Sequence, residues 1–198
     1  NLFDYAEVVQ AASFLKVLQN YKNDVPLLSV LKSPFFSFTD AELYEIKQSA
    51  PKTKFFHEAL FEARLNGSLT EKVNNFFATI SKYKNVALAR GGIYALKKAI
   101  VETPFECVTL SKFNGKKKLE LVNDFITKIS SIDDEPDLPN VINAIEVLNE
   151  SLKASDSASP GGTVSFMTIH KSKGLEFPVV FLSNLAKKTP NITDPVLC

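Results

Sequence analysis

Apolar side chains return at three- and four-residue intervals through most of residues 7–153, and that pattern confines the chain to a largely helical body. Val8, Ala11, Ala12, Leu15 and Leu18 share one face of a helix expected over 7–18. Asp24, just before Val25-Pro26, reads as a helix start, and residues 27–31 form a short apolar turn behind it. Thr39-Asp40-Ala41-Glu42 has the form in which a threonine and a glutamate cap each other's backbone donors, predicting a helix over 40–48. Pro51 punctuates it, and the next helix, over 55–66, is expected to stop at Gly67. Thr70 reads as an N-cap for a stripe of Val73, Phe76, Phe77 and Ile80. After Gly91-Gly92, the residues Ile93, Leu96 and Ile100 predict a helix closed near Pro104. Two further stripes place helices over 118–130 and 140–153, and no repeat of fixed period joins them.

The texture then changes. Residues 155–162, Ser-Asp-Ser-Ala-Ser-Pro-Gly-Gly, read as a polar connector. Beyond it, residues 163–169 and 178–183 are short β-rich runs, apolar for most of their length as strands covered on two faces are. The eight residues between them leave room for one or two helical turns. The expected fold is therefore mainly α, with a small α/β edge of two short strands. Two strands make no stable sheet alone, and the chain opens at Asn1 rather than Met, so it reads as a piece of a longer protein.

Composition narrows the classes. The 198 residues carry 23 Lys and Arg against 22 Asp and Glu, a net charge of +1 that excludes a histone-like protein but not a local basic groove. No apolar run approaches the roughly 18 residues that would argue for a bilayer span. Cys107 and Cys198 lie far apart with no second ligand nearby, which favours a reducing compartment and no metal site.

The chemistry concentrates in residues 164–178. A strand ending at Thr168-Ile169 delivers His170, Lys171, Ser172 and Lys173 into a loop. Backbone N–H groups at such a turn, with lysines and hydroxyls beside them, suit phosphate oxygens. Gly174 lets another group approach the backbone, and Glu176 is the one acid that could accept from a sugar hydroxyl. Ligands of α/β sheets collect at the carboxyl ends of strands, where this loop would lie. By composition alone, a solvated surface loop remains the plainer reading.

Residues 168–177, Thr-Ile-His-Lys-Ser-Lys-Gly-Leu-Glu-Phe, closely resemble helicase motif V of the UvrD/Rep group of superfamily 1. The wording of residues 171–181, Lys-Ser-Lys-Gly-Leu-Glu-Phe-Pro-Val-Val-Phe, is most similar to the AddA (RexA) family of bacterial helicase–nucleases. Residues 3–8, 14–20, 24–27 and 30–34 look like the segment that leads from domain 2A into domain 2B, and residues 117–122 carry a fainter similarity. The resemblance implies four parts: 2A-edge helices over 1–33, a helical 2B-like domain over 34–154, a linker over 155–162, and over 163–198 the motif V strand-loop-strand of a RecA-like 2A domain. It also implies DNA contact for Thr168, His170 and Lys171, and nucleotide contact for Gly174 and Glu176. Where many UvrD-like proteins have a glycine-containing turn against duplex DNA, this chain reads Phe35-Phe36-Ser37-Phe38.

The parent protein implied is a cytoplasmic bacterial helicase with exonuclease activity, unwinding and processing DNA double-strand ends in recombinational repair. It would use ATP and Mg2+, act on single- and double-stranded DNA, pair with an AddB (RexB)-like subunit, and have no membrane partner. The chain itself has no G-x-x-x-x-G-K-[ST], no identifiable Asp-Glu pair of a Walker B strand, and only two arginines, Arg64 and Arg90, both in the helical part. Phosphoryl transfer needs those parts together, so this piece is expected to hold no cofactor, to contain no catalytic residue and to be inactive alone. Two rival readings are a UvrD-like or RecB-like helicase of another repair complex, and a non-enzymatic helical interaction module.

Other candidates read more plainly. His57 lacks a second ligand at metal spacing and is expected to be structural. Residues 114–118, Asn-Gly-Lys-Lys-Lys, are a turn and basic run: a solvated helix start, or a contact to DNA backbone. Four acids in residues 133–137 lack the spacing of a calcium loop. Phe35, Phe36 and Phe38 are expected in the core, and Cys107 is expected to be buried.

Overall fold

A computed structural model describes residues 1–132, 137–157, 167–170, 172–174, 176–177 and 179–182. The chain divides into two compact units, Asn1–Ala158 and Ser159–Cys198, and each is taken by itself.

Among the described residues the first unit is all helical. A short 3-10 turn, Leu2–Asp4, leads into α1 (Ala6–Gln19), α2 (Asp24–Lys32), α3 (Asp40–Ser49), α4 (Phe56–Glu62) and α5 (Ser68–Arg90). Then come α6 (Gly92–Glu102), α7 (Phe105–Ser111), α8 (Gly115–Ile132) and α9 (Leu138–Ser157). The centre of the unit is α1, which packs against α2, α5, α6, α8 and α9. Its sequence explains that place. Val8, Ala11, Phe14, Leu15 and Val17 are fully buried, so apolar residues surround more than one face.

Local chemistry fixes the helix starts. Thr39 Oγ1 accepts from the Glu42 N–H at 3.2 Å and the Glu42 carboxylate accepts from the Thr39 N–H at 2.7 Å, the reciprocal cap that the sequence predicts. Asp24 supplies the cap of a different helix, α4: its carboxylate accepts from the N–H groups of Phe56 (2.7 Å) and His57 (3.0 Å). His57 Nδ1 lies 3.0 Å from the same carboxylate, so this histidine is structural, as its isolation from other ligands predicts.

Several expectations need correction. The helix over 55–66 ends at Glu62, and Gly67, expected to stop it, precedes the first residue of α5 instead. Pro104 closes α6 but also opens α7, a helix for which the sequence gives no stripe. Cys107 is exposed, because α7 buries Phe105 and Thr109 and turns Cys107 outward. α9 runs to Ser157, so the first residues of the expected connector are helical, while 158–162 lie outside the described residues.

The two expected strands are not seen. Residues 167–169 and 179–182, the described parts of those runs, have no strand pairing. Ile169 (76% exposed) and Phe181 (90%) face solvent, as do Met167 and Val179, Val180 and Leu182. A strand is held by a neighbour that pairs with its backbone and covers its faces, and the exposed Met167, Ile169 and residues 179–182 have no such cover among the described residues.

Charge pairs tie the helices together. Glu102 on α6 accepts from Lys82 Nζ (2.8 Å) and Tyr83 Oη (3.0 Å) on α5 and meets Lys98 Nζ at 2.9 Å; Lys82, Lys98 and Tyr83 hold its carboxyl down to about 2. Burial opposes the charges of Glu7, Asp24 and Glu42, yet each lies below its ordinary value because of its partners: Lys118 and Lys112 for Glu7, the Phe56 N–H and His57 for Asp24, Lys72 and Thr39 for Glu42. These carboxyls bind protons less readily folded than unfolded. Their contribution to stability is therefore complete above the ordinary glutamate value of 4.5 and is lost as pH falls through the folded values. The melting temperature is expected to be lower at pH 3 than at pH 7 in matched salt; equal values would contradict these pairings.

Candidate functional site

The second unit carries the loop singled out by the sequence. Thr168, His170, Gly174 and Glu176 are all exposed, and Lys171 lies outside the described residues. The Ser172 N–H donates to the carbonyls of Thr168 and Ile169, both at 3.2 Å, which folds the backbone back across His170. Ser172 Oγ donates to the Ile169 carbonyl at 2.8 Å. Both donors of Ser172 are thereby committed to the turn, so this serine shapes the loop instead of offering its hydroxyl proton to a phosphate. Nothing in the composition of the loop signals that role.

Gly174 ends a second turn, over 172–174, with φ at +83°, a conformation that side-chain-bearing residues rarely adopt. A Cβ placed there would meet nothing within 4 Å, so the glycine is required by the backbone and not by packing within the chain. Beside it, Glu176 presents an exposed carboxylate. The loop thus offers an imidazole and a threonine on one side of its turns, and an acid beside a bare backbone on the other.

Fit to a nucleotide is partial. An exposed carboxylate next to a glycine turn suits the hydroxyls of a sugar, whereas the sequence lacks the lysine-bearing cradle for β- and γ-phosphates. Among the described residues no group of three or more His, Cys, Asp or Glu could hold a metal ion, so Mg2+ finds no ligand set there. No helix among them is long and apolar enough to cross a membrane.

The first unit, taken by itself, holds two features of its own. Phe35, Phe36 and Phe38 are buried, as expected, and Ser37 between them adopts φ +54°, so a serine takes a left-handed conformation at this turn. Lys72 Nζ donates to the Ser37 carbonyl at 2.8 Å and to Glu42 at 2.8 Å, fastening this turn to α3 and α5. Arg90 lies over the Tyr94 ring, 4.1 Å from its centroid, and donates to its hydroxyl at 2.8 Å.

Comparison with known proteins places the chain in a family. Residues 1–194 match the UvrD-like helicase C-terminal domain. An ATP-dependent helicase/nuclease subunit of Lactobacillus delbrueckii subsp. bulgaricus is 30% identical over 193 residues, which is 93% of this chain and 16% of that protein. The protein of the same name in Thermoanaerobacter sp. (strain X514) is 32% identical over 193 residues, 94% of this chain and 16% of the relative. That of Lactobacillus johnsonii is 31% identical over 198 residues, 95% and 16%. The chain spans about a sixth of the length of these curated relatives. With a match that covers nearly all of its residues, the chain belongs to the UvrD-like helicase C-terminal domain family.

Proposed function

We propose that this chain is the 2B region and motif V of an AddA-like, ATP-dependent DNA helicase–nuclease. In this reading residues 1–33 are the 2A edge leading into 2B, 34–154 the 2B body, and 163–198 the motif V segment. The observation that supports it most is the coincidence of a match over residues 1–194 with an exposed turn over 172–174, ending on Gly174 at positive φ, beside an exposed Glu176.

Thr168, His170 and Lys171 would contact the phosphates of single-stranded DNA, and Glu176 would accept from a ribose hydroxyl beside Gly174. ATP, when bound to the whole protein, would supply the free energy of phosphoryl transfer. Five residues separate His170 from Glu176, so a shift at the sugar would pass along one short loop to the DNA strand. The whole protein would work in the bacterial cytoplasm on double-strand ends during recombinational repair, with Mg2+ and an AddB-like partner. This piece would not hydrolyse ATP alone, for want of the phosphate cradle.

The test is single-strand-stimulated ATP hydrolysis by the whole protein. There, His170→Ala is expected to raise the DNA concentration for half-maximal stimulation about fivefold, the effect of one lost hydrogen bond. An unchanged value would remove His170 from the DNA contact.

A further inference from the structure

The corner between α7 and α8 carries chemistry that motif V does not use. Residues 112–118 hold four lysines, one phenylalanine and no acid. Phe113 at its tip is 88% exposed, more than any other aromatic residue described in the first unit. A single exposed phenylalanine needs no explanation. This one is held in place by an unusually firm corner.

Three devices fix that corner. Asn114 adopts φ +56°, a left-handed conformation that asparagine tolerates better than most residues. Gly115 is buried, and a Cβ there would sit 2.3 Å from the Thr109 carbonyl oxygen and 2.5 Å from that of Leu110. From the far side Glu7 of α1, only 3% exposed, meets Lys118 Nζ at 3.0 Å and Lys112 Nζ at 3.4 Å. Lys116 and Lys117 remain exposed, with no acidic partner among the described residues. Such anchoring fixes the backbone that carries an exposed aromatic ring and two ammonium groups, so that mainly their side-chain rotamers remain to be ordered on binding.

We propose that this corner is a contact for single-stranded DNA: Phe113 stacks on an unpaired base, and Lys116 and Lys117 pair with the adjoining phosphates. The proposal rests on the DNA-motor reading above. An aromatic platform flanked by cations is the arrangement by which proteins hold single strands without reading sequence. Stacking needs a base face that a duplex keeps covered, which selects the single strand over the double one.

The chain contains no tryptophan, so Phe113→Trp introduces a single fluorescent reporter at the contact. Titration of that variant with an oligo(dT) strand should quench its emission. Phe113→Ala should weaken binding of the same oligonucleotide by the 198-residue chain about tenfold, within the range for one lost base stack. The double substitution Lys116→Ala and Lys117→Ala should flatten the plot of log affinity against log salt by about 1.4, from about 0.7 per phosphate contact. All three side chains are exposed and leave the Glu7 pairs intact; circular dichroism checks that each variant is folded.

Unquenched emission overturns the proposal, as does an affinity that Phe113→Ala leaves unchanged or the absence of oligonucleotide binding. Equal weakening toward a covalently closed circular duplex also overturns it, because its bases, with no open end, cannot stack on the ring. None of these results bears on ATP hydrolysis by the whole protein, so failure here is distinguishable from failure of the motor reading.

Discussion

Replacing Phe35 by alanine is expected to cost the helical body about 4 kcal/mol, a large part of the stability of a domain this size. Its ring lies between two others, 4.5 Å from the Phe14 centroid at 24° and 4.3 Å from that of Phe105 at 22°. Phe14 in turn meets Tyr83 edge-on at 5.8 Å. One side chain from the α2–α3 connection therefore joins α1 to α7 directly, and α5 through Phe14. Truncation removes the transfer free energy of a ring that is 4% exposed and leaves a gap that two flat partners cannot both close. Urea unfolding of the 198-residue chain would show this as a lower midpoint. Phe113→Ala is the control: with its ring in water, stability should change by less than about 0.5 kcal/mol. A Phe35→Ala midpoint as mild as the control's would show that the stack does not hold the helices.

Gly115→Ala should be nearly as damaging, about 3 kcal/mol. Alanine is the better helix former, and on propensity alone it would stabilise the first turn of α8 by about 1 kcal/mol. The surroundings reverse the sign. The nearest atoms to the new methyl are the Thr109 and Leu110 carbonyl oxygens and the Leu110 Cα at 2.7 Å, all backbone, so no rotamer change relieves the overlap. α7 must move away from α8, and Lys118 loses its place beside Glu7. That leaves an almost fully buried carboxylate less well paired, which adds to the loss. Equal or greater stability in the same unfolding experiment would contradict the close approach.

The helical body is legible in the sequence because its signals are local. The Thr39–Glu42 cap and the stripes of α1, α6, α8 and α9 depend on spacing within one or two turns. What sequence reasoning misses depends on contacts between distant residues. α7 has only seven residues and follows a proline, so in sequence it resembles the end of α6. Asp24, which reads as the start of its own helix, caps α4 some thirty residues later. Ser37 adopts a left-handed conformation that its identity does not announce, held by Lys72 from α5. The apolar runs around the loop read as strands because β-rich composition is local, whereas pairing requires a neighbour.

At the candidate site the order of residues is readable and the division of labour is not. Gly174 needs its positive φ, as a glycine at a turn suggests. Ser172 has the chemistry of a phosphate donor and instead closes the turn with both its N–H and its hydroxyl. At the other corner the basic run is visible, but nothing in the sequence shows that Glu7, more than a hundred residues earlier, takes Lys118 and Lys112 while leaving Lys116 and Lys117 free.

The most direct test of the central claim is the kcat/KM for ATP of the whole protein in the presence of single-stranded DNA, compared between the native sequence and Glu176→Ala. If this loop holds the nucleotide sugar, kcat/KM should fall at least about tenfold, the loss of a hydrogen bond to a charged group. Identical kcat/KM values would contradict the sugar contact at Glu176, and no ATP hydrolysis under any DNA condition would contradict a DNA motor and leave a helical interaction module in its place.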